Sequence, residues 1–226
     1  ACVDGATVLE WPTKDGSECY TCLDGTMKTS AADCGNGEIA QFITDWDTSD
    51  ITDMEYIFRH KQKFNQPLNW DTSKVTTMKG MFYNALDFNQ DISSWDVSSV
   101  TSFMTMFYKH QNIQDRENKF NQDISSWDTS KVQWMGSMFG FSDNFNQDIS
   151  SWDTSSLINT YNMFRYSSSF DQDISCWNIS SVTSLQGMFE GADSMQQDLC
   201  WDTTGINTND MFKNSVGGSV DSCTPA

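Results

Sequence analysis

The chain has 226 residues, with 31 acidic against 13 basic side chains and a formal charge of −18 at pH 7. Such a charge repels nucleic-acid phosphates and anionic lipid, which excludes both as default partners. No apolar run approaches the roughly 18–20 residues that span a bilayer; no basic-then-apolar leader opens the chain, so the expectation is that any signal peptide has been removed.

Residues 1–37 are rich in Gly, Asp, Thr and Cys and lack apolar periodicity. Cys2, Cys19, Cys22 and Cys34 fall within them, and Cys19 and Cys22 have CxxC spacing. Zinc and redox roles compete with disulfides here, and the absence of His from the segment favours disulfides and an oxidising compartment. The expectation is a disulfide-rich N-terminal cap that covers the open end of a repeat array beginning at residue 38. Four cysteines allow three pairings.

Residues 38–214 carry seven copies of one block. Trp46, Trp70, Trp95, Trp127, Trp152, Trp177 and Trp201 recur at steps of 24, 25, 32, 25, 25 and 24 residues. A second series, Ile57-Phe58, Met81-Phe82, Met106-Phe107, Met138-Phe139, Met163-Phe164, Met188-Phe189 and Met211-Phe212, keeps step with it. A constant period of this size predicts a solenoid in which each unit covers the apolar face of the next. Ile92, Trp95 and Val97 fit the L-x-x-L-x-L spacing of leucine-rich repeats, and Trp95 and Val97 alternating with Asp96 predict a short strand. Val100, Phe103 or Met104, Met106 and Phe107 stand at spacings of three, four and seven, which predicts a helical turn. The expected fold is therefore an α/β repeat, a right-handed leucine-rich-repeat-like solenoid of about seven coils. Two amide columns, Asn65 to Gln196 and Gln66 to Gln197, are expected to satisfy backbone groups at the bend.

One connector departs from the pattern. Twelve residues, 108–119, separate Phe107 from Phe120 where other connectors have five. Because the flanking series resume in step, the insertion is expected to loop out and display residues for recognition. Arg59, His60, Lys61 and Lys63 in the first connector, with Lys109, His110, Arg116 and Lys119 in the enlarged one, gather basic charge along one edge of an acidic rod. A solvated edge offsetting local acidity and a docking edge for an acidic partner are the two readings. Residues 215–226 are a tail or partial coil.

Asp47, Asp71, Asp96, Asp128 and Asp153 each stand directly after the repeat Trp. Local capping of the next turn is the main reading, and a row of calcium sites is the alternative. The Thr column Thr48, Thr72, Thr129, Thr154 and Thr203 is expected to pack inward. Cys176 and Cys200 occupy equivalent places, and Cys200–Cys223 is the favoured disulfide because it ties down the C-terminus, leaving Cys176 free or paired elsewhere. Asn178-Ile-Ser180 is a glycosylation sequon, with Asn178 the acceptor in a eukaryotic secreted protein. No Gly-rich phosphate loop, HExxH or GxSxG motif is present, so neither an enzyme nor a cofactor is expected.

The blocks FNQDISSWDTSKV…MGSMF and FNQDISSWDVSSVTSFMTMF resemble the BspA-like leucine-rich-repeat surface proteins. They are also similar to the family of roughly 25-residue repeats found in mycoplasma lipoproteins. The resemblance covers 38–214. It implies a secreted or cell-surface protein that adheres or binds without catalysis, holding an extracellular protein or glycan. The other function class is a structural subunit that assembles end to end into an extracellular filament through an open strand edge.

Overall fold

The computed structural model describes Tyr20–Thr21, Met27–Lys28, Gln41–Phe42, Ile43 and residues 46–220. The first 37 residues thus lie largely outside the described residues, as do Cys2, Cys19, Cys22, Cys34 and Cys223. Three two-residue strands, β1 (Tyr20–Thr21), β2 (Met27–Lys28) and β3 (Gln41–Phe42), pair antiparallel in the order β2-β1-β3, with Tyr20 opposite both Lys28 and Phe42.

From Trp46 onward the chain is built of turns. We number repeats 1 to 7 from the Trp that opens each. Successive repeats meet at one parallel bridge apiece, running Asp53, Thr77, Ser102, Trp134, Asn159, Ser184 and Asn207. Repeat 2 shows how the backbone is satisfied. Met78, Gly80, Phe82 and Asn84 donate their N–H groups to the carbonyls of Ser102, Met104, Met106 and Tyr108 in repeat 3, at 2.8–3.1 Å. The residues between them, Met81, Tyr83 and Ala85, instead close tight turns onto Met78, Gly80 and Phe82. Each N–H is therefore used, alternately across and within the repeat, which is what a buried backbone requires.

The alternation has a conformational cost. In repeats 1, 2, 4, 5 and 6 the tenth and fourteenth residues after the Trp take left-handed backbone: Tyr56 and His60, Gly80 and Asn84, Ser137 and Phe141, Asn162 and Tyr166, and Gly187 and Gly191. Only glycine adopts this region freely, so the stack must hold the other residues there.

This backbone overturns the expected α/β leucine-rich-repeat-like solenoid. Among the described residues there is no α-helix, and the only strands are the three short ones before the repeats. The spacings of three and four at Val100, Phe103, Met106 and Phe107 arise from chained turns that send every third or fourth side chain inward. Trp95 and Val97 are both buried with Asp96 exposed between them, yet the segment pairs with nothing as a strand.

Burial is carried by ring ladders. Phe58, Phe82, Phe107, Phe139, Phe164, Phe189 and Phe212 stack with centroids 5.3–5.6 Å apart. A second column, Phe64, Phe88, Phe120, Phe145 and Phe170, runs beside it at 5.9–6.2 Å. Within a repeat the two are 3.8–4.0 Å apart. The tryptophans form the third column. The Nε1–H of Trp70, Trp95, Trp127, Trp152 and Trp177 donates to the carbonyl of Ile43, Leu68, Ile92, Ile124 and Ile149 respectively, and that of Trp201 to Ser175, at 2.7–3.2 Å. Each indole so bonds the chain two or three residues ahead of the preceding Trp. Thr48, Thr72, Thr129 and Thr154 are buried, and the first three donate to the carbonyl of the next repeat's Asp.

The amide columns bind repeat to repeat at the opposite bend. The Oδ1 of Asn65, Asn89, Asn121 and Asn146 accepts the backbone N–H of Asn89, Asn121, Asn146 and Asp171 in turn, each at 2.9 Å.

The disulfide framework expected from the cysteines also needs correction. No bridge joins two described residues, Cys176 is a free exposed thiol, and Cys200, the one described cysteine that is bonded, reaches outside them.

Candidate functional site

The ninth and thirteenth residues after the Trp form two columns at the surface of the ladder, most of them half-buried, with Arg59 and Tyr161 exposed and Glu190 buried. At the ninth stand Glu55, Lys79, Met104, Gly136, Tyr161 and Gln186; at the thirteenth, Arg59, Tyr83, Tyr108, Gly140, Arg165 and Glu190. Repeat 4 alone has glycine at both. A notch of about 400 Å³ opens there, walled by Tyr83 and Tyr108 on one side and by Tyr161, Asn162 and Arg165 on the other, with Phe141 between them. A Cβ at Gly140 would meet the Tyr108 ring at 2.8 Å, so the missing side chain is what lets that ring lie across repeat 4.

The regular ring stacking breaks at this place. Tyr83 and Tyr108 are tilted, at 5.2 Å, and Phe141 stacks on Tyr166 at 5.0 Å, but Tyr108 meets Phe141 edge-on at 82°. Large exposed hydrophobic side chains concentrate in the same two repeats. Trp134 is 38% exposed, Tyr161 43% and Tyr166 36%, and the remaining one among the described residues is Val216. Burial pushes the Tyr83 and Tyr108 phenols above their ordinary value. The Arg165 guanidinium lies over the Tyr166 ring at 5.1 Å and pairs with Glu190 through two nitrogens, at 2.7 and 3.2 Å. That pair raises the arginine above its already high value and cancels its charge locally.

The basic edge is distributed otherwise. Lys109 is 7% exposed and holds both oxygens of Asp143 at 2.7 and 2.8 Å. Arg116 reaches back one repeat to Asp87 at 2.7 Å and two to the Gln62 side chain at 3.0 Å, and Lys119 takes the other Asp87 oxygen at 2.7 Å. The insertion 108–119 is thus folded against its neighbours by its own cations. Arg59 stacks over Tyr56 and Tyr83 at 5.1 and 5.2 Å. His60 contacts Asn84 Nδ2 at 3.0 Å, and burial first, then the Arg59 charge, lowers its pKa. Lys61 is buried and Lys63 exposed. His110 reaches the rim of the notch, its Nδ1 accepting from the Asn112 N–H at 3.2 Å. Of the eight basic-edge residues, only His110 lines the notch.

Among the five acidic calcium candidates, each carboxylate accepts the N–H of the residue two places on, as Asp71 does from Ser73 at 3.0 Å and Asp96 from Ser98 at 3.0 Å. Asp47, Asp128 and Asp153 do the same. With no helix beyond it, this is a side-chain turn rather than a helix cap. Among the described residues no group of three or more His, Cys, Asp or Glu is placed to hold a metal. Asn178 takes the same place in repeat 6, exposed, with its Oδ1 accepting from Ser180 at 3.0 Å.

The hydrogen bonds from serine, side chain first and then backbone, hold the Asp71, Asp128 and Asp153 carboxyls below their ordinary value of 3.8. A depressed folded pKa gives stability that is present above the ordinary value and lost as pH falls through the depressed one. Asn keeps the acceptor, as Asn178 demonstrates, but does not titrate. The triple variant Asp71→Asn, Asp128→Asn, Asp153→Asn is therefore expected to lose less of its melting temperature between pH 7 and pH 3 than the parent does. Parallel acid dependence in the two proteins, measured by thermal circular dichroism, would refute the assignment.

Sequence reading missed the notch, although its signal was present. Trp134 and Tyr161 are aromatic residues outside the repeating series, and glycine falls twice in repeat 4 where its neighbours carry long side chains.

No helix among the described residues is long and apolar enough to cross a membrane. Comparison with curated proteins and with solved structures gives no match. The family described as "Mycoplasma protein of unknown function, DUF285" matches over residues 26–118 and 111–221. Those two segments span the repeat array almost from end to end, and the chain belongs to the DUF285 family.

Proposed function

We propose that this chain is a secreted or cell-surface binding module of the BspA-like kind, without catalytic activity or cofactor, and that it holds an extracellular protein or glycan at the notch across repeat 4. The observation that carries the reading is a concave surface lined by four rings, Tyr83, Tyr108, Phe141 and the exposed Tyr161. Scattered single hydrophobics are ordinary on any protein surface, whereas rings grouped at a cleft with convergent amides mark a ligand site. His60 and His110, the two histidines, contact Asn84 and the Asn112 backbone rather than a nucleophile, which supports binding over catalysis.

A printed array of extracellular proteins and glycans, probed with the fluorescent chain, tests the reading. Saturable binding to one class, abolished by Tyr161→Ala, is expected. Absence of binding to both classes, or binding indifferent to that change, would remove it. A second reading, a structural subunit joining end to end into an extracellular filament, draws on the polarity of the ladder. Successive repeats pair in parallel along the stack, so its two ends are unlike surfaces able to join head to tail. Rods in negative stain would favour it over the binding module, and single particles would remove it.

A further inference from the structure

We propose that the notch across repeat 4 takes a neutral oligosaccharide chain. The inference rests on the binding-module reading and names the class of ligand. Its ground is the chemistry of the lining taken against that of the whole molecule. The chain carries −18, yet the one arginine that lines the notch, Arg165, is bound bidentately by Glu190. The lining tyrosines Tyr83 and Tyr108 are neutral phenols at pH 7. The other basic groups nearby are His110 at the rim and Arg59, stacked on Tyr83 outside the lining. An anionic ligand meets only these two edge groups, against the field of an acidic protein. A cationic one finds no free carboxylate among the lining residues.

What remains is a set of aromatic surfaces and neutral hydrogen-bonding groups. Tyr161 makes no ring contact among the described residues and is 43% exposed, so its face is open. Asn162, Gln111, Thr105 and Ser137 place amides and hydroxyls around it. Sugars present just this pairing, an apolar C–H face and a rim of hydroxyls that both donate and accept. An aromatic body with a polar tip matches both parts at once. An apolar peptide would leave the amides and hydroxyls unpaired, at the usual penalty for desolvated polar groups. The rings also follow one another from repeat to repeat, Tyr83 beside Tyr108 within the notch and Tyr166 beside Phe141 at its edge. A linear chain lying along the axis would pass over them in turn, whereas a single sugar would use only the centre.

Isothermal titration calorimetry with neutral hexaoses tests the proposal, using β-1,4-glucan, β-1,3-glucan and β-1,4-mannan fragments, with an oligouronate hexamer and an apolar hexapeptide as the other arms. Saturable binding of at least one neutral hexaose is expected, weakened at least tenfold by Tyr161→Ala and severalfold by Gln111→Ala. Both residues are exposed and outside the core, so both variants fold. Val216→Ala, exposed elsewhere, leaves binding unchanged. Stronger binding of the oligouronate or the peptide overturns the proposal, as does neutral-sugar binding that Tyr161→Ala does not touch. If no hexaose binds while a protein on the array does so through Tyr161, the ligand class falls and the binding module stands.

Discussion

Phe139→Ala is expected to destabilise the protein by about 3–5 kcal/mol, the range for deleting a fully buried phenyl ring. Phe139 is fully buried and stands at the crossing of two ladders. Its ring lies 5.6 Å from both Phe107 and Phe164 along the stack and 3.8 Å from Phe145 within its own repeat. Removing it opens a cavity in the middle of the array and ends two ring contacts between repeats, each worth about 0.5–1.5 kcal/mol beyond burial. The Phe139 carbonyl also accepts hydrogen bonds from the Ser142 N–H and the Ser167 hydroxyl, which the substitution leaves in place, so the loss reports packing. Since each repeat touches only its neighbours, the damage concentrates between repeats 3 and 5. Urea denaturation followed by tryptophan fluorescence measures it. A loss under about 1 kcal/mol would mean that the phenyl columns are not what holds the repeats together.

Gly80→Ala is expected to cost about 2–5 kcal/mol, from two separable causes. The residue has φ of 60°, where a Cβ costs roughly 1–2 kcal/mol. A Cβ there would also run into the ring of Tyr56 from the preceding repeat, and displacing a packed ring costs about 1–3 kcal/mol. The same pairing recurs where Tyr166 lies against Gly191 and Asn162 against Gly187. Large residues in left-handed positions lean over the next repeat, and glycine receives them. A double-mutant cycle with Tyr56→Ala separates the causes. In that background the alanine has no ring to meet, so only the backbone cost of about 1–2 kcal/mol remains. Strict additivity would show that Tyr56 does not lie over Gly80.

The repeat was legible because rings and amides recurring in tandem at fixed offsets can hardly all be buried or bonded except by stacking copy on copy. Trp95, Phe107 and Phe120 each lie in the core that the series implied, and Asn89 bonds the next repeat as a column of stacked amides should. The local conformation was not legible. Inward spacings of three and four at Val100, Phe103, Met106 and Phe107 suit a helix, yet the same spacings arise when turns alternate with cross-repeat bonds. Nothing in a side-chain pattern separates the two. The residues at Gly80, Asn84, Gly187 and Gly191 carry the missing signal, since Gly and Asn at matching offsets suit left-handed backbone and disfavour a helix.

The spacing showed where the insertion lies but not which groups its cations meet. Its cations read as a displayed edge because their partners, Asp87 and Asp143, lie in the connectors of repeats 2 and 4. Pairing of that kind depends on which connectors stack, which the spacing alone did not convey. The notch was overlooked for the opposite reason. It is made by what repeat 4 lacks, at Gly136 and Gly140, and a search for recurring residues passes over a gap.

Solvent exchange of the indole N–H protons, measured by nitrogen-15 NMR, tests the stack most directly. The indoles of Trp70, Trp95, Trp127, Trp152, Trp177 and Trp201 each donate to a carbonyl just ahead of the preceding Trp, whereas Trp134 is exposed. The account predicts six slowly exchanging indole signals and a fast one for Trp134, with Phe139→Ala hastening Trp127 and Trp152 before Trp70. Rapid exchange of all the indoles in the native protein would contradict it.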